Sequence, residues 1–151
     1  MARLDIRVAP DPVLRATCSA IETFDANLAT LASDMLDTMY DAPGRGLAAP
    51  QIGETLRLFV MDATWKDGVP TPMVFCNPRI TRRSDTKSAA DEACLSIPGV
   101  STLVMRPEDI DLSWQDLDGQ SHQASFSGFE ARCIQHEADH LDGVLCTDYP
   151  T

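Results

Sequence analysis

The segment His136-Glu137-Ala138-Asp139-His140 constrains this chain more than any other, because two imidazoles four residues apart converge on one cation only from a helix. There they stand one above the other, turned by only ~40°. Glu137 is turned ~100° from His136 and ~60° from His140, so its carboxylate reaches a water beside the cation without being a ligand. Asp139 falls ~160° from Glu137, where it can orient a neighbour but not touch that water. The plainer reading is a solvated helix face that happens to carry two histidines and two acids. Ile134 and Leu141 flank the segment and Cys133 precedes His136 by three, so the helix is not freely exposed, and this favours the metal.

A metal held by two histidines needs at least one more protein ligand, with an open position if it is catalytic. Two cysteines compete for that place. Cys133 shares the helix face of both histidines, whereas Cys94 lies in Asp91-Glu92-Ala93-Cys94-Leu95-Ser96, a segment that reads as a strand. A ligand from a distant element completes a tetrahedron without straining one helix, which favours Cys94. For Cys133 a small apolar core residue is the better expectation. Spacing alone does not decide between them.

The rest of the chain limits the context. At 151 residues it should form one domain, residues 1–151, with a single core. The opening MARLDIRVAPDP has no apolar core of a secretory signal, so a cytoplasmic address is expected. The five cysteines are odd in number and show no C-x-x-C pairing, which fits a reducing compartment. A formal net charge of −11 makes nucleic acid and membrane poor partners.

Along the chain, residues 5 to 14 read as extended. Residues 23 to 41 form the first clear helix, with Thr23 as its cap and Pro43-Gly44 as its stop. A glycine-rich loop, Gly44 to Gly53, leads to a buried strand near Leu56 to Asp62. After a turn at Lys66-Asp67-Gly68, residues 72 to 81 form another strand. Residues 91 to 114 hold two or three short strands broken at Pro98-Gly99 and Arg106-Pro107. A hairpin follows around Asp118-Gly119, with a strand near Gln123 to Phe126, and a last helix runs from about Gly128 to Leu141. Two helices at opposite ends and six or seven strands predict an α+β fold with antiparallel or mixed strands around the metal helix.

The loop Gly44-Arg45-Gly46-Leu47-Ala48-Ala49-Pro50-Gln51 is no phosphate loop, since it lacks the lysine and hydroxyl and follows a helix. Its small residues let a ligand approach the backbone, with one amide, Gln51, aimed at it.

Together, Gly44 to Gln51, Glu92 to Ser96 and Gln135 to His140, with the opening Asp11-Pro12-Val13-Leu14, resemble the peptide deformylase family, whose motifs are G-x-G-L-A-A-P-Q, E-G-C-L-S and Q-H-E-x-D-H in that order. The resemblance covers roughly residues 4 to 148. It implies a metallohydrolase that removes the N-formyl group from N-formyl-methionyl peptides or nascent chains. It further implies one divalent metal on Cys94, His136 and His140, natively Fe²⁺ with Zn²⁺ or Ni²⁺ able to substitute, and Glu137 as acid/base. Gln51 and the Leu95 N–H are implied as oxyanion donors. The substrate groove is then expected at Gly46, Arg45, Ala93, Phe129 and Cys133, and Arg106 is a candidate to hold Glu92 or Asp139.

Two positions depart from the family pattern. Ala93 stands where glycine is usual, which costs roughly 1 kcal/mol if the backbone there needs positive φ and nothing if the methyl points away. Arg45 replaces an apolar residue, placing a cation at the pocket mouth. The sequence also ends at Thr151, where many members continue into a long helix that in some docks on the ribosome, so ribosome docking is not expected. These departures leave two rival expectations: a hydrolase of shifted acyl-amine specificity, and a metal-bearing peptide-binding module. A general metalloprotease fits least, given a cysteine ligand and the Pro50-Gln51 loop.

Overall fold

The computed structural model describes residues 3–150. After a 3-10 turn at Pro12–Arg15, helix α1 spans Ala26–Asp41. It starts three residues later than its periodicity predicts. Asp25, not Thr23, is the cap, its carboxylate accepting from the Leu28 N–H at 3.0 Å. The residues up to 14 are likewise not wholly extended, because Asp11 caps the Pro12–Arg15 turn by accepting from the Val13 N–H.

Seven strands follow: β1 Gly46–Ala48, β2 Leu58–Met61, β3 Met73–Arg83, β4 Lys87–Cys94, β5 Ile97–Pro107, β6 Asp109–Gln115 and β7 Ser121–Ser127. Helix α2, Gly128–Leu141, comes last and matches its expected bounds. The glycine-rich loop is more ordered than expected, since it supplies β1 and a 3-10 turn at Ala49–Ile52. β1, β2, β3, β6 and β7 make one antiparallel sheet in that order, and β4 and β5 make a second, two-stranded one.

β2 shows why this arrangement holds. All four of its residues are buried, and their side chains alternate between faces. Phe59 and Met61 pack with Ala131, Cys133, Ile134 and Leu141 of α2, while Leu58 and Val60 pack with Leu28, Met35 and Met39 of α1. A helix on each side therefore turns a short apolar run into the centre of the molecule. No helix among the described residues is long and apolar enough to cross a membrane.

The small sheet is tied to α2 by polar bonds. Arg132 donates to the Val104 carbonyl at 2.9 Å and the Ser88 carbonyl at 2.8 Å, and Gln135 donates to the Pro107 carbonyl at 3.0 Å. β5 runs through Pro98-Gly99, where a break was expected. In a two-stranded sheet its outer edge has no ladder, so a proline there removes no needed donor.

Candidate metal centre

Cys94 ends β4, immediately before the Leu95-Ser96 turn that reverses the chain into β5. That turn directs its side chain at the C-terminal half of α2. The ligand atoms of Cys94, His136 and His140 lie within 4.8 Å of one another, and Cys94 Sγ is 3.4 Å from His140 Nε2. Cys133 is not part of this group. Its thiol faces the Arg45 carbonyl at 3.8 Å and sits among the apolar side chains between α2 and the sheet.

Charge around the cluster is arranged for a cation. Burial holds His140 down at about 3, in the neutral form that ligates. Burial also works against protonation of His136, but the Cys94 sulfur and the Glu92 carboxylate outweigh it and raise its pKa. Positive charge between sulfur and imidazole is thus favoured, and a divalent metal supplies it in place of a proton. The thiol and two imidazoles form a soft, three-donor set that suits Fe²⁺, Zn²⁺ or Ni²⁺ and leaves room for one further position. The residues fit the metal.

Glu92 holds the cluster from behind. Its carboxylate accepts from His136 Nδ1 at 2.8 Å, from Arg106 Nε at 2.6 Å and Nη2 at 2.9 Å, and from Arg132 Nη1 at 2.7 Å. Arg106 also reaches Asp139 at 2.9 Å, so it pairs with both acids between which the sequence left a choice. Asp139 in turn accepts from the Tyr149 hydroxyl at 2.6 Å. Arg132 and Tyr149 were not identified from sequence. The signal for Arg132 was present, because it lies four residues before His136 and on the same face.

Glu137 is 4 % exposed, and its Oε1 has no hydrogen-bond partner. Burial pushes its carboxyl up to about 7. Gly46 lies directly against it: a Cβ on that glycine would stand 2.5 Å from Glu137 Oε2 and 3.0 Å from Cys133 Sγ. A side chain at position 46 therefore has room only if Glu137 moves.

Gln51 is anchored through its carbonyl. Its Oε1 accepts from the Ala48 N–H at 2.9 Å, while its Nε2 lies 3.1 Å from Ser96 Oγ and 3.6 Å from Cys94 Sγ. The amide donor therefore points at the cluster.

A cavity of about 570 Å³ opens onto these groups, lined by Arg45, Gly46, Gln51, Ala93, Cys94, Leu95, Phe129, Cys133, His136 and Glu137 among others. Every residue expected in the groove is in this lining. Ala93 brings no backbone strain, since Asn77 alone among the described non-glycine residues has positive φ. Arg45 stacks its guanidinium on the Phe129 ring at 5.1 Å. His122 is exposed and pairs with Asp116 at 2.7 Å, away from this cavity.

A family model described as polypeptide deformylase matches residues 3–150. A peptide deformylase from Rhizobium meliloti is 48% identical over 142 residues, covering 94% of this chain and 82% of the relative. One from Zymomonas mobilis is 44% identical, covering 99% of this chain and 86% of its own length. Among solved structures, the Thermotoga maritima peptide deformylase superposes with a TM-score of 0.94 at 38% identity, covering 100% of this chain and 99% of that one. A plant peptide deformylase gives 0.96 at 40% identity, covering 100% and 82%.

Proposed function

The chain belongs to the polypeptide deformylase family, and from that premise we propose that Cys94, His136 and His140 hold one divalent metal, Fe²⁺ natively, with Glu137 as acid/base of the reaction. The enzyme removes the N-formyl group from nascent peptides, yielding formate and a free amine. A substrate made during translation supports a cytoplasmic address for the enzyme. The metal would supply Lewis acidity, polarising the formyl carbonyl and bringing the pKa of water towards ~7.

The chain's own residues supply the remainder. Glu137 accepts a proton from the attacking water and passes it to the amine nitrogen as the C–N bond breaks. The Gln51 Nε2–H and the Leu95 N–H donate to the oxyanion, and losing one such donor costs about 10²- to 10³-fold in rate. The peptide lies extended along the outer edge of β1 and beside β4, as an added strand, with its methionine side chain towards Phe129 and Cys133. Burial of Cys94, His140 and Glu137 keeps bulk water from the reacting atoms.

One observation carries this assignment: three ligand atoms from two distant elements within 4.8 Å, beside a buried carboxylate oxygen with no partner. Chelation followed by anaerobic reconstitution tests it. Formate release should vanish with the metal and return with one equivalent of Fe²⁺, and Cys94→Ala should bind none. Full turnover by metal-free protein would overturn it. A binding module without turnover is disfavoured, because such a protein has no use for a general base buried against its metal ligands.

A further inference from the structure

The cavity mouth carries a cation with no ion-pair partner among the described residues. Arg45 takes part in no ion pair among the described residues, although acids outnumber bases by eleven over the chain. Its buried Nε has no acceptor. What holds the guanidinium in place is the face of Phe129, 5.1 Å away, and a ring orients a cation without cancelling its charge. Lys66, also in the cavity lining, is held in the same way, 5.7 Å over Trp65, whose indole N–H donates to the Gly44 carbonyl at 2.9 Å. Arg132 differs, since it pairs with Glu92 and donates to two carbonyls.

Position along the groove gives this cation a target. Gly46 touches Glu137, at the reacting end, and Arg45 is the next residue outward. An extended peptide advances ~3.3 Å per residue, so one that begins with its formyl group beside Glu137 passes Arg45 within one or two residues of the methionine. A guanidinium in that place, whose terminal N–H groups donate to no described residue, matches a carboxylate.

We propose that Arg45 is a specificity-determining residue that binds a carboxylate of the formylated substrate one or two residues beyond its methionine, an inference that rests on the deformylase reading of the site. The carboxylate is either an acidic side chain or the free C-terminus of a short formyl peptide. Lys66 adds positive potential at the rim, which draws such substrates into a molecule that otherwise repels them.

The test compares three peptides on iron-loaded enzyme: formyl-Met-Ala-Ala amide, formyl-Met-Ala with a free carboxylate, and formyl-Met-Glu-Ala amide. At low salt, kcat/KM for a carboxylate peptide should exceed that for the neutral amide by roughly tenfold, mainly through KM, and the margin should shrink with added salt. In Arg45→Gln the ratio should fall close to one, and Arg45→Lys should restore part of it. Preference for the free acid alone identifies the chain terminus as the ligand, and preference for the glutamyl peptide alone identifies the side chain. A wild-type enzyme indifferent to these charges, or a preference that survives Arg45→Gln, overturns the proposal and leaves deformylation standing. No formate from any of the three overturns both.

Discussion

Glu92 Oε1 accepts a hydrogen bond from His136 Nδ1 at 2.8 Å, which leaves Nε2 as the nitrogen that faces Cys94. The same carboxylate holds two arginines, with Arg106 only 3 % exposed. The ring's tautomer, its orientation and the anchoring of β4 to α2 therefore depend on one side chain.

Replacing it should separate two effects. Glu92→Gln keeps an acceptor for His136 but lowers its basicity, so metal affinity should drop by about 10- to 100-fold, measured by competition with a chelator. The variant also leaves Arg132 without a counter-charge and Arg106 with Asp139 alone, which should cost about 3–5 kcal/mol in a urea titration. Unchanged metal affinity would show that Glu92 does not position the ligand.

Close packing at Gly46 leads to a second prediction. In Gly46→Ala the new methyl displaces Glu137, whose Oε2 stands where the Cβ would come, while the ligand atoms stay in place. The protein should retain its metal yet lose about 10²-fold in kcat/KM, since misplacement by about 1 Å is that costly. Metal analysis beside steady-state kinetics decides the matter, and normal turnover would contradict the contact.

Asp62 offers a test of stability away from the reaction. It is fully buried and accepts from the Tyr40 hydroxyl at 2.6 Å and from the N–H groups of Thr64, Trp65 and Thr71. Burial alone would raise its carboxyl pKa, but these donors outweigh burial and hold it below 3.8. A carboxyl depressed in the folded state stabilises fully above its unfolded value and loses that stability as pH falls through the folded one. Asp62→Asn should thus cost about 2 kcal/mol at pH 7, and the gap from wild type should narrow only below pH ~3.8. Urea midpoints at neutral and acid pH read this directly.

Much of this was legible in the sequence, for identifiable reasons. Helix α2 was bounded correctly because its apolar spacing and the Asp142-Gly143 stop are local signals. The histidines and Glu137 followed from geometry within one helix. Cys94 was less directly legible: stereochemistry favoured it over Cys133 but spacing alone did not decide, the family resemblance preferred it, and the Leu95-Ser96 turn is what brings it to His140. The start of α1 was misplaced because Thr23 and Asp25 are both good caps, and only the fold selects between them. Arg132 escaped notice because its partner Glu92 is forty residues away in the chain.

The central claim is that Glu137, beside a metal on Cys94, His136 and His140, moves the proton that deformylation requires. Formate release from formyl-Met-Ala-Ser should therefore be measured for anaerobically iron-loaded protein and for Glu137→Gln carrying the same metal content. The account predicts rapid release by the first and a loss of about 10²- to 10⁴-fold in the second, with its metal intact. Equal release from both would contradict it.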